Sequence, residues 1–162
     1  MDLAYTLLNG LILSLLASLW LLFSLWINPR AFLQDYPREI QEIVPPKTQA
    51  EKRLSLFFGI PFMLLLLLFP VFSTLYLKAQ GGVTFGGLWL NAAGVMFIFN
   101  IVDWLILDWL IFCTLTPRFL VIPGSEGMPA YKNYGFHFRG CFKGTGLSIL
   151  GGFVVAGILF LL

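Results

Sequence analysis

The chain has 162 residues, of which 59% are hydrophobic and 11% charged, and its net charge is +2. An average soluble domain is roughly a quarter charged, and a chain this short has too little interior to hide so much apolar surface. The basic residues form no dense patch interleaved with aromatics, so nothing indicates a nucleic-acid partner, and the apolar residues gather in four long runs, as in a membrane protein.

The first run is Leu3 to Ile27. It is too long for a signal-peptide core, nothing basic precedes it, and no small-x-small cleavage pattern follows it, so it reads as an uncleaved span. The second run is Leu54 to Leu77, the third Leu88 to Leu115 and the fourth Gly144 to Leu162. Each reaches the ~20 residues that cross ~30 Å of hydrocarbon, the fourth only just. Backbone in that zone must satisfy its own hydrogen bonds. The predicted fold is therefore all-α, one bundle of four transmembrane helices, with short interfacial helices in the connections 28–53 and 116–143.

The first connection is punctuated for local order. Asn28-Pro29 has the form of an N-cap followed by proline at the first helical position. Pro37 opens a second short turn over Arg38 to Val44, and Pro45-Pro46 ends it. Thr48-Gln49-Ala50-Glu51 fits a capping box, which starts the second long helix just after Thr48. Phe32, Leu33, Tyr36, Ile40 and Ile43 recur at near-helical spacing, as amphipathic pieces at the membrane surface would. The third connection begins with Thr116-Pro117-Arg118. An extended piece over Phe119 to Ile122 and a turn over Pro123 to Gly127 follow. From Pro129 the pattern turns helical, with Tyr131, Tyr134, Phe138 and Phe142 as interface anchors and a bend near Gly140.

Nine of the ten Lys and Arg residues lie in those two connections; the tenth is Lys78 in the second. The basic side is expected to be cytoplasmic, with both termini outside.

Pro61 and Pro70 interrupt the second span, and Pro70 cannot donate to the Leu66 carbonyl, so a kink is expected there. In the last span Gly140, Gly144, Ser148, Gly152 and Ala156 recur every four residues. Small residues at that interval let a neighbouring helix come close. Gly10, Ser14 and Ser18 make a shorter match in the first span. The two stripes are expected to face each other within one molecule; a subunit interface is the alternative.

The third run holds Asn100, Asp103 and Asp108. At about 100° per residue the three cover an arc of about 140°, one broad helical face with Trp104 between them. A charge at the centre of a span costs roughly 2.5–3.5 kcal/mol on insertion scales, so these acids should face the bundle interior or an aqueous cavity. Among the basic groups on the same side, His137 and Arg139 are closest in type to functional groups, since histidine as a residue type switches charge near neutral pH and arginine grips anions with two donors. These four residues could form an inner-facing polar pocket that binds a lipid headgroup, carries a proton or holds an ion. The plain alternative is a network that only fixes the bundle. Asn100 and Arg118 complete the set of candidate binding residues.

Other chemistry is weakly indicated. His137 and Cys141 share a helix face, and Cys113 and Asp108 lie at the inner end of the third span, but nothing in the spacing demands a metal. No cofactor is expected. Asp103 and Asp108 could act as an acid–base pair, with His137 as a further catalytic candidate, although their spacing belongs to no one reaction. HExxH, GxSxG and GxxxxGK[ST] are absent.

The segment from Asn100 through Asp108-Trp109-Leu110-Ile111-Phe112-Cys113 to Met128, with Tyr134-x-Phe136-His137-Phe138-Arg139-Gly140, resembles small bacterial multi-pass membrane proteins that carry no assigned activity. The resemblance covers residues 100–144 and implies a bacterial inner membrane, with no catalytic residue or cofactor to carry over. Three roles fit these observations. The favoured one is a non-enzymatic accessory, lipid-binding or assembly component, with membrane lipids and a membrane-protein partner or a second copy as its partners. The second is an enzyme acting on lipid or isoprenoid substrates at the cytoplasmic face through Asp103, Asp108, His137 and Arg139. The third is a proton- or ion-linked transporter working as an oligomer, although no inverted repeat is visible.

Overall fold

Four helices long and apolar enough to span a membrane frame the molecule: Leu3–Ile27, Gln49–Ala79, Phe85–Leu115 and Tyr134–Leu161. The computed structural model describes residues 2–162, is 84% helical and contains no strand among them. Asp2 caps α1 (Leu3–Ile27) by accepting from the Tyr5 N–H at 3.0 Å. Asn28 then caps a 3₁₀ turn, Pro29–Asp35, and α2 (Arg38–Ile43) follows Pro37. The capping box is present as the sequence predicts. Thr48 accepts from Glu51 N–H, the Glu51 carboxylate accepts from Thr48 N–H, and α3 (Gln49–Ala79) begins there. Both prolines sit inside α3, with Pro70 buried.

Thr84 caps α4 (Phe85–Val102), and the same span continues as a π-helical segment over Asp103–Leu115. Thr116 ends it in the left-handed region at φ 43°. That conformation costs a β-branched residue roughly 1–2 kcal/mol. Its hydroxyl offsets part of this by donating to Phe112 O at 2.8 Å. Lys132 donates to Thr114 O at 2.9 Å, putting a cation on the carbonyl end of the span. The stretch expected to be extended is a 3₁₀ turn at Arg118–Leu120. A second one, Pro129–Lys132, leads into α5 (Tyr134–Leu161), which Asn133 caps.

The two basic connections fold onto each other and roof one end of the bundle, here called the capped end. Ala31, Leu33, Tyr36 and Ile40 pack with Phe112, Leu120, Ile122 and Tyr131 in one core. The amphipathic pieces predicted in the first connection therefore turn most of their apolar side chains into the protein, and Ile43 alone of that set is exposed. Burial pushes the Tyr36 phenol far above its ordinary range, with Tyr131 and Asp35 adding to the rise. It stays a neutral O–H and donates to Leu120 O at 2.9 Å. Two further polar ties hold the connection. Arg30 pairs with Glu51 at 2.5 Å and donates to Pro45 O. Lys47 donates to Ala31 O, Gln34 and Ser55.

The third span is the central post. α5 packs along one side of it and α1 along another, with α3 beside both. This corrects the expected pairing of the two small-residue stripes, because α4 lies between them. Side chains added at Gly144 and Gly152 would overlap Asn100 and Ala93, and one at Gly10 would overlap Ile98. Ser14, Ser148 and Ala156 are buried, whereas Gly140 is exposed over open space. Ser18 keeps its hydroxyl buried without a hydrogen-bond partner.

Towards the opposite end, Asn91 ties three helices together. It accepts from Thr6 Oγ1 at 2.9 Å and donates to Ser73 Oγ and Thr74 Oγ1 at 3.2 and 3.0 Å. Nothing apolar could satisfy these groups in hydrocarbon, and interhelical bonds of this kind average about 0.6 kcal/mol each.

Gly152→Leu forces α5 off the third span, and overpacking of this kind typically costs about 1–3 kcal/mol. Thermal unfolding in detergent should show a lower midpoint for Gly152→Leu, while Gly140→Leu leaves it within error. Equal midpoints for the two variants would contradict the packing described.

Candidate functional site

The π-helical segment decides which side chains meet. Its hydrogen bonds run from residue i+5 back to i, as Thr116 N–H to Ile111 O does at 2.9 Å. Residues five apart therefore come round to the same side of the helix. In an α-helix they would diverge by about 140°. The aromatic side chains register the difference directly. Trp104 and Trp109 lie in edge contact with ring centroids 4.8 Å apart. Asp103 and Asp108 share the same offset, as does Cys113 beyond them. The broad arc expected of an α-helix is thus narrowed to one face.

Asp108 Oδ1 lies 2.8 Å from Nδ1 of His137 on α5. His137 is 5% exposed and packs against Phe112 and Phe136, with centroid distances of 4.8 and 5.2 Å. Nδ1 is the ring nitrogen that faces the carboxylate, and Nε2 is the remaining one. Nε2 is buried and has no hydrogen-bond partner, and the Trp104 indole N–H shares that condition. Asp103 is half-buried and forms no hydrogen bond or ion pair with any described residue. The charges within reach of it are both carboxylates, Asp108 and Asp35.

Asp35 enters from the first connection. Burial of its carboxyl raises its pKa although its rim is still exposed to solvent. The Gln34 hydrogen bond and the Lys47 charge oppose the rise, and Asp108 adds to it. The site thus runs from an exposed rim at Asp35, through half-buried Asp103 and Asp108, to a buried floor at His137.

Asn100 belongs one turn deeper. It is buried and donates to Cys141 O at 3.0 Å and Thr145 Oγ1 at 3.1 Å, fastening the third span to α5. Arg139 and Arg118 are exposed and form no ion pair with the acids, so of the four residues predicted to form a pocket the structure joins Asp108 to His137 and leaves Arg139 apart. Cys113 and Cys141 are both buried free thiols. Among the described residues no three His, Cys, Asp or Glu side chains group as a metal ion would require.

Beside the acids lies an aromatic cluster. Trp104 touches Phe138 as well as Trp109, at 5.5 Å, and Trp109 touches Tyr134 at 5.6 Å. Sequence reasoning missed Asp35 because no local pattern links it to residues some seventy positions away. It also missed the π-helical register, for which a signal existed: Asp103-Trp104 and Asp108-Trp109 repeat one dipeptide at an interval of five.

The chain matches no family model, no curated protein and no solved structure.

Nitrogen NMR of the chain in bilayers should find the His137 proton on Nδ1, and Asp108→Leu should abolish that preference. A wild-type ring protonated on Nε2 alone would show that the Asp108 contact does not form.

Proposed function

We propose that this chain is a small multi-pass protein of a bacterial inner membrane and serves there as a non-enzymatic lipid-binding component. Its capped end faces the cytoplasm and both termini face outward. The orientation rests on the charge asymmetry, with nine of ten Lys and Arg residues at the capped end.

The observation that carries the binding role is the unfinished polar site. His137 is 5% exposed and held by Asp108, yet its other ring nitrogen has no partner, and Asp103, five residues before Asp108, forms no hydrogen bond or ion pair among the described residues. Buried polar groups are normally hydrogen-bonded, and a charged one without a partner is costly. A ligand's polar group would remove that cost. Asp108 lies seven residues from the end of the span at Leu115. A ligand with an acyl tail in the hydrocarbon and a polar head at that depth is a lipid.

One observation favours a second reading. A carboxylate on Nδ1 orients an imidazole so that Nε2 can take a proton, the arrangement of a general base. An enzyme acting on the same lipid would use His137 in that role.

The test is lipid retention. The wild-type chain, purified from membranes in mild detergent, should hold a lipid that native mass spectrometry resolves. Asp103→Asn and His137→Ala should lose at least nine-tenths of it, Asp103→Asn while melting within a few degrees of wild type. Equal retention by all three proteins would refute the site. Chemical conversion of the lipid by wild type but not by His137→Ala would replace binding with catalysis.

A further inference from the structure

The kind of head the site accepts follows from which polar groups are left free. Resting on the lipid-binding reading, we propose that the ligand's head carries a protonated primary amine, so that the site selects an aminolipid. The free groups are almost all acceptors. Asp103 has no partner, Asp108 holds His137 through one oxygen only, and His137 offers a bare Nε2. Asp35 at the rim accepts only from Gln34. The Trp104 N–H is the one free donor of the set. A primary ammonium brings three donors and the opposite charge. A quaternary ammonium brings the charge without donors, and a glycerol head brings donors without the charge.

Among the described residues no Lys or Arg forms an ion pair with these acids. Arg30 is spent on Glu51, Pro45 O and Pro46 O. Lys132 is spent on Thr114 O and Thr116. Lys47 is the cation nearest the rim, and its three N–H bonds go to Ala31 O, Gln34 and Ser55. Arg139 and Lys143 are exposed on α5 and form no ion pair, which leaves them open to a headgroup phosphate. His137 is what separates this cluster from an ordinary patch of surface acids. It is 5% exposed, it is held by one acid of the cluster, and its other ring nitrogen is buried without a partner. Trp104 and Trp109 follow the two acids of the third span by one position each, and with Tyr134 of α5 against Trp109 they give the glycerol region an amphipathic wall.

The experiment reconstitutes the full chain into nanodiscs with phosphatidylethanolamine, phosphatidylcholine and phosphatidylglycerol of identical acyl chains, then reads retained lipid by native mass spectrometry. Phosphatidylethanolamine should exceed each of the others by about tenfold, the scale of one charge-assisted hydrogen bond. Asp103→Asn should bring the ratio close to one. Asp35→Asn, at an exposed position whose loss cannot unfold the bundle, should lower it by about threefold. Equal retention of the phosphatidylcholine, or preference for the phosphatidylglycerol, with either still lost in Asp103→Asn, would overturn the amine and leave the lipid site standing. No enrichment of any lipid in wild type would overturn both. Displacement of phosphatidylethanolamine by millimolar free ethanolamine would keep the amine chemistry but overturn the lipid as its source.

Discussion

Hydrocarbon offers no hydrogen bonds, and the rest of this structure depends on that constraint. A soluble protein can leave a carboxylate or a helix end to water. Here each polar group in the bundle needs a protein neighbour. The third span shows how far the constraint reaches. Asn91 is closed by Thr6, Ser73 and Thr74, Asn100 by Cys141 and Thr145, and Asp108 by His137. Even the end of the span is closed, by Lys132 on Thr114 O. Ser18 on α1 breaks the pattern singly, whereas Asp103, the Trp104 N–H and the second nitrogen of His137 break it around the Asp108–His137 contact.

The π-helical register makes that neighbourhood possible. π-helices are rare, occur mostly as single turns, and gather at functional sites. Thirteen residues in this register, Asp103–Leu115, is a long run. It aligns side chains five apart, so two acids and two tryptophans are delivered as two columns on one helix. The same span must also be gripped closely by α5 and α1. Small residues at Gly144, Gly152 and Gly10 allow this, because any larger side chain would strike Asn100, Ala93 or Ile98. Close packing on both sides holds the register, and the capped end locks it through Phe112, which packs with Tyr36 and Tyr131.

Much of this architecture is legible in the residues themselves. Span number, the Thr48 capping box and the Asn28-Pro29 start all follow from local rules, since each depends on residues a few positions apart; that Asp108 is sheltered follows instead from the cost of a charge in hydrocarbon. The pairing of the glycine stripes did not, because a stripe says that some helix comes close and not which one. The inward turn of Phe32, Leu33 and Tyr36 was equally hidden: spacing identifies an apolar face, and only the third connection supplies its cover. Arg139 stood beside His137 in sequence, yet it is exposed and outside the site, since neighbours two apart on a helix point different ways. The aspartates were placed on an arc drawn for an α-helix. Their true alignment is encoded in the five-residue Asp-Trp repeat, which means little until the register is known.

The most direct test is a density map of the chain in a lipid nanodisc at a resolution that shows carbonyl oxygens. The account predicts i+5→i hydrogen bonds through Asp103–Leu115, Trp104 stacked edge-on against Trp109, and Asp108 on His137 with Asp103 beside it. A regular α-helix through that stretch, with Trp104 and Trp109 apart and either aspartate turned to the acyl chains, would contradict it.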